Sequence, residues 1–263
     1  MATFLTRRSL MRGVGTLALA DFASNHGLPV RAAAEVTETV TISTSGGKRV
    51  SAILVLPSNI PAPAVVVIHG ARGRRSWFID LAKRFAEQGF VGLAIDLFDG
   101  NVTTDSNQAD VLVDEAESHF DRTVQTIVAW LEWLRSDSRT TGKVGLFGYS
   151  FGALMGVHAA LAAPVDASVL CVGTDRDRRM YDVAKLTHFN GPVIGHYATK
   201  DPVLGTGSAE DFVHRMKEAG KPMQVYWYGA GHTFMVPTAS DYSKTDAELA
   251  WQRTIDFLNS TLR

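Results

Sequence analysis

Short, mostly apolar runs recur along the chain and alternate with stretches whose apolar residues return every three or four positions. AVVVIHG (64–70), FVGLAID (90–96), KVGLFGY (143–149), VDASVLCVG (165–173), PVIGHYA (192–198) and MQVYWYG (223–229) are of the first kind. Runs of this length, bounded by glycine or polar turns and rich in β-branched residues, predict strands buried on both faces of a parallel sheet. SWFIDLAKRFAEQG (76–89), ALMGVHAALAA (153–163), SAEDFVHRMKEAG (208–220) and a stretch from about Asp246 to Leu262 are of the second kind and predict helices. A longer helix is expected from about Asp114 to Ser136, with Trp130 and Trp133 on one face as core residues. Residues 97–113 and 174–190 follow neither period and predict long irregular loops. VTETVTIST and KRVSAILVLP flank Ser45-Gly46-Gly47 and predict an antiparallel pair at the sheet edge. The alternation implies an α/β fold: one mostly parallel sheet covered by helices on both faces, with active residues at the carboxyl ends of the strands.

One strand-to-helix junction carries chemistry. KVGLFG leads into Gly148-Tyr149-Ser150-Phe151-Gly152, a Gly-x-Ser-x-Gly pattern between a predicted buried strand and a predicted helix. An abrupt turn there forces the central residue to positive φ, which is tolerable only if the residues two before and two after lack side chains. Gly148 and Gly152 meet that need, and Ser150 projects its hydroxyl above the sheet end. The Phe151 amide, at the start of the helix, lies where a developing oxyanion would be stabilised. A serine hydroxyl needs a base, and the base needs an orienting acid. Asp201 follows the strand PVIGHYA and His232 follows MQVYWYG, in the order Ser, Asp, His expected of an α/β-hydrolase. Asp175 and Asp177, at the end of another strand, are the alternative acids.

Composition narrows the function classes. The 263 residues are 46% hydrophobic, which suits one α/β domain. With 26 basic and 27 acidic side chains, no charge imbalance draws the chain onto nucleic acid. No apolar stretch approaches the roughly 18–20 residues of a membrane-spanning helix, so no stable membrane insertion is expected. The single cysteine, Cys171, excludes an intrachain disulfide and reads as a buried structural thiol. No histidine pair has a recognised zinc spacing, and neither a metal nor another cofactor is called for. Residues 1–34 read as an export signal: Thr6-Arg7-Arg8-Ser9-Leu10-Met11-Arg12 resembles a twin-arginine motif, GVGTLALA follows as a short core, and Ala32-Ala33-Ala34 offers a cleavage site. Ala18-Leu19-Ala20 is a second such site. Export through the twin-arginine machinery would place a single domain, residues 35–263, in a periplasm or outside the cell; without a working signal the enzyme stays in the cytoplasm.

From about Ala62 onward the chain resembles the dienelactone hydrolase family of α/β-hydrolases. The resemblance rests on AVVVIHGARG, LAKRFAEQGFVGLAIDLFDG, GYSFGA, ATKDPV and GAGHTF. It implies a sheet of about eight strands without a cap domain, a triad of Ser150, Asp201 and His232, and a second oxyanion donor at the Ala71 amide. The glycines of His69-Gly70-Ala71-Arg72-Gly73 fit an oxyanion loop. The best-known members use a cysteine nucleophile with a glutamate in the loop after the first buried strand, and clamp a substrate carboxylate with two arginines. Here those positions hold Ser150, Gly70, Gly100 and Val236. Tyr149, Phe98, Arg72 and Phe234 are the expected pocket residues, and Arg72, Arg74 and Arg75 lie near the expected active face. The implied activity is hydrolysis of a small-molecule ester or lactone. Transfer of the acyl group to peroxide or another acceptor, and a non-catalytic exported binding protein, are the competing readings.

Overall fold

A computed structural model describes residues 36–174 and 182–263. The expected export signal, and the alternative acids Asp175 and Asp177, lie outside the described residues.

Among the described residues eight strands form one sheet in the order β1-β2-β4-β3-β5-β6-β7-β8. β1 (Val36–Ser43) and β2 (Arg49–Leu56) are the expected edge pair, antiparallel from Val36 opposite Leu56 to Ser43 opposite Arg49. β2 also runs antiparallel to β4 (Val91–Ile95); all later pairings are parallel. β3 (Ala62–Ile68) lies between β4 on one side and β5 (Thr140–Tyr149) on the other. The chain therefore leaves β3 and β5 towards different parts of the sheet, and a crevice opens beyond their carboxyl ends. β6 (Ala167–Cys171), β7 (Val193–Ala198) and β8 (Gln224–Tyr228) complete the sheet.

Alternation along each strand divides the core in two. Ala64, Val66 and Ile68 of β3 join a cluster with Ile127, Trp130 and Leu131 of α3 (Phe120–Ser136) and Met155 and Val157 of α4 (Phe151–Ala162). Val65 and Val67 face the other way, towards Leu81 and Phe85 of α1 (Ser76–Glu87) and Leu258 of α7 (Lys244–Leu262). Gly92 is where β4 meets α1, because a Cβ there would lie 2.2 Å from the Ala82 carbonyl oxygen.

Two expected boundaries are corrected. Instead of an irregular loop up to 113 and one helix from 114, α2 spans Ser106–Ser118 and α3 begins at Phe120, with His119 between them. α2 turns only a short stripe to the core, with Ala109 and Ala116 buried and Leu112 and Val113 packed half-buried between them, while the neighbouring Val111 is exposed and blurs the period. Its signal is the cap: Asp105 accepts from the Gln108 amide at 2.9 Å. Within 174–190, a single turn, α5 (Val183–Leu186), starts at Asp182, which accepts from the Ala184 amide. α6 (Thr206–Glu218) follows β7. No helix among the described residues is long and apolar enough to cross a membrane.

Candidate active site

Ser150 stands between β5 and α4 at φ +54° and ψ −118°. The flanking glycines explain how the chain reaches that conformation. A Cβ on Gly148 would lie 2.4 Å from the Gly152 carbonyl oxygen, and one on Gly152 would lie 2.4 Å from that of Ile68. A third glycine is needed and is not part of the Gly-x-Ser-x-Gly pattern. Gly173, just past β6, packs so closely that a Cβ would come within 2.1 Å of the Ser150 carbonyl oxygen. The preceding Val172 has φ +43°, rare for a β-branched residue, and the Ser150 amide donates to Cys171 at 2.8 Å.

The turn brings together side chains separated by up to 82 positions. His232 Nε2 lies 2.9 Å from Ser150 Oγ, and His232 Nδ1 lies 2.7 Å from Asp201 Oδ2. The other Asp201 oxygen accepts from the amides of Val203 (2.7 Å) and Leu204 (2.9 Å), which orient the carboxylate. Burial opposes its charge, but the hydrogen bond and charge of His232, with those two amides, hold the Asp201 carboxyl below the ordinary carboxylate range. The loop carrying His232 is tied down twice. Tyr149 donates its hydroxyl to the His232 carbonyl at 2.8 Å, and Asp241 accepts from the amide and hydroxyl of Thr233. Gly231 permits the second tie, since a Cβ there would be 2.3 Å from Asp241 Oδ2. Nothing in the sequence pattern singled out Asp241 or Gly173, because each matters only through a contact between distant segments.

A cleft of about 590 Å³ opens over Ser150 and His232, within the range of small-molecule sites. Ala71, Arg72, Trp77 and Tyr149 line one part of it, and Val236 to Ser240 line another. Among the described residues neither the Ala71 nor the Phe151 amide has a protein acceptor. Phe151 N–H is free because it opens a helix. Of the expected pocket residues, Tyr149 and Arg72 do line the cleft. Phe98 and Phe234 do not. Phe98 packs on His69 (4.6 Å between centroids) and Phe151 (5.5 Å) and borders a separate cavity of about 100 Å³. Phe234 is fully buried, stacked on Tyr228. Burial in the core takes both rings out of water, which is where large apolar side chains gain most. Arg72 donates to Thr104 O and to Ser106 Oγ, Arg75 also faces the cleft, and Arg74 turns away, 3.9 Å from Asp96.

Three other groups are excluded from the cleft. Cys171 is wholly buried at the end of β6, and burial pushes its thiol well above the usual range. His196 is buried between Tyr228 Oη (2.8 Å) and Thr254 Oγ1 (3.1 Å). His69, at the end of β3, is also fully buried. No group of three or more metal-ligating side chains occurs among the described residues.

Residues 50–262 match the model of the dienelactone hydrolase family. The chain belongs to that family. A relative, carboxymethylenebutenolidase of Pseudomonas putida, is 25% identical over 85% of this chain and 96% of its own. A solved dienelactone hydrolase from Anabaena variabilis superimposes with a TM-score of 0.65 at 23% identity, over 87% of this chain and 99% of its own. A dienelactone hydrolase-like promiscuous phosphotriesterase from metagenomic libraries does so with a TM-score of 0.76 at 20% identity, over 86% and 99%. Both structural likenesses bear on the fold. Family membership makes the protein a carboxylic ester hydrolase with the dienelactone hydrolase form of the α/β-hydrolase fold, and the described residues include no separate cap domain.

Proposed function

We propose that the protein is a serine hydrolase that cleaves a carboxylic ester or lactone through an acyl-enzyme. The observation that carries this reading is the continuous hydrogen-bonded line from Ser150 Oγ through His232 to Asp201, with steps of 2.9 and 2.7 Å. His232 Nε2 takes the proton as Ser150 Oγ attacks the carbonyl carbon, and the charge on oxygen falls between the amides of Phe151 and Ala71. Asp201 keeps the Nδ1 proton in place and stabilises the imidazolium. His232 returns the proton to the leaving alcohol, or to the ring oxygen of a lactone. It then deprotonates the water that releases the acid and restores Ser150. The relative's name, carboxymethylenebutenolidase, supports including lactones in the substrate class.

The test is turnover of p-nitrophenyl esters of increasing acyl length, together with a simple lactone, by the chain and its Ser150→Ala variant. The expected result is hydrolysis in the parent and a fall of at least about 10⁴-fold in kcat in Ser150→Ala with folding unchanged. Undiminished turnover in that variant would remove Ser150 as nucleophile.

A further inference from the structure

We propose that His69 is a positioning residue that aims the Ala71 amide at the reacting oxygen by holding the Gly70–Ala71 peptide in one orientation. This rests on the reading of Ser150 as nucleophile and of Ala71 as an oxyanion donor. The His69 ring is buried between Phe98 and Phe78, with centroids 4.6 and 6.2 Å away, so its plane is set by packing. Its Nε2 lies 3.0 Å from the Leu97 amide, which is only a donor, so Nε2 is the accepting nitrogen. The ring proton of a neutral imidazole then sits on Nδ1, which donates to the Gly70 carbonyl at 2.9 Å. Burial, the largest influence, keeps the ring neutral, lowering its pKa to about 4 despite the opposing effects of that carbonyl and Asp96.

Fixing the Gly70 carbonyl fixes the next amide. The Gly70–Ala71 peptide is trans and planar, so its N–H points opposite to its C=O and away from the imidazole. A second donor, the Gly73 amide, meets the same carbonyl oxygen at 3.1 Å and closes a turn in which the Ala71 amide is left without a partner. Ala71 and Ser150 both line the cleft, and a Cβ on Gly70 would lie 3.6 Å from Ser150 Cβ, so the peptide stands beside the nucleophile. Oxyanion stabilisation depends on donors already aimed at the charge as it forms. His69 meets that need from behind the loop, without touching substrate.

The competing role is that of a strand clip, in which the bond between Nε2 and Leu97 merely ties β3 to β4. Two substitutions separate the roles. In His69→Asn the side-chain nitrogen stands as many bonds from the backbone as Nδ1, so the donor to Gly70 is kept and the Leu97 amide loses its acceptor. In His69→Gln the longer side chain places an oxygen near the Nε2 position, which keeps the Leu97 bond and gives up the Gly70 bond. Aiming predicts that kcat falls about 30- to 100-fold in His69→Gln and less than about fivefold in His69→Asn, with KM in both within about twofold of the parent. The affinity of an alkyl boronic acid, which forms a tetrahedral adduct on Ser150, should fall in parallel with kcat. Thermal stability should order the variants the opposite way, so a purely structural role cannot mimic the pattern. Equal kcat in the two variants, a larger loss in His69→Asn, or losses carried by KM would overturn the proposal. Ser150→Ala assayed alongside separates the two readings. If that variant is inactive while His69→Gln keeps its kcat, the nucleophile stands and the aiming role falls; if it stays active, the nucleophile itself is wrong.

Discussion

Two buried neutral histidines should make this protein lose stability as the solution is acidified through pH 6, well before its carboxylates protonate. Burial is the main cause in both, lowering His69 to about 4 and His196 to about 3 from an ordinary value of 6.5. Asp96 and the Gly70 carbonyl partly offset this at His69 and Arg74 adds to it, while at His196 the Arg253 guanidinium adds to it. Protonating His69 would also set a ring N–H against the Leu97 N–H. A depressed folded pKa means that the unfolded chain binds protons the folded chain refuses. The stability is therefore present above about pH 6.5 and is lost as the pH falls towards the folded values. Each histidine contributes a slope approaching about 1.4 kcal/mol per pH unit between those limits, so at pH 5 the two together have removed about 4 kcal/mol relative to pH 7.5. Asp201, Asp137 and Asp166 are all held below the ordinary carboxylate range and act only below about pH 5, which leaves the window from 5 to 7.5 to the histidines. Urea unfolding at half-unit steps across that window is the assay. His196→Gln, whatever its own cost, should halve the pH-dependent loss. A stability that is flat from pH 7.5 to 5, or a slope that His196→Gln leaves untouched, would show that the buried histidines do not set the acid sensitivity.

Gly148→Ala should cost about 3 kcal/mol, because its Cβ meets backbone at 2.4 and 2.6 Å, whereas Gly156→Ala, whose nearest neighbour is the flexible Leu146 side chain at 3.1 Å, should change stability by less than about 1 kcal/mol. Equal urea midpoints for the two would refute the close-packing account of the elbow. Tyr149→Phe removes the 2.8 Å bond to the His232 carbonyl and should lower kcat about five- to tenfold with about 1 kcal/mol of stability; unchanged ester turnover would mean that Asp241 alone holds the histidine loop.

The strands and most of the helices were legible because their signal is local. Buried parallel strands need continuous apolar runs and covering helices need a stripe, and both appear in any short window of the chain. The break at His119 was not legible, since the stripe of α2 is two alanines and two half-buried side chains, blurred by the exposed Val111. At the site, the sharp turn at Ser150 was readable from its two flanking glycines, because the backbone conformation there restricts residue type directly. The positions of Asp201 and His232 at strand ends were readable too, but their distance from Ser150 Oγ was not.

The alternating α/β order, the turn that exposes Ser150 and the residue types available at the strand ends are all written in local stretches of the chain. The tertiary structure alone decided that Phe98 and Phe234 belong to the core and Trp77 to the cleft, that Gly173 and Asp241 support the serine and histidine loops, and that His69 reaches the Gly70 carbonyl. Residue type and period express the demands of the local backbone, while a contact between side chains far apart in the chain exists only once the sheet has fixed the strand order. Such contacts leave no periodic trace in the chain.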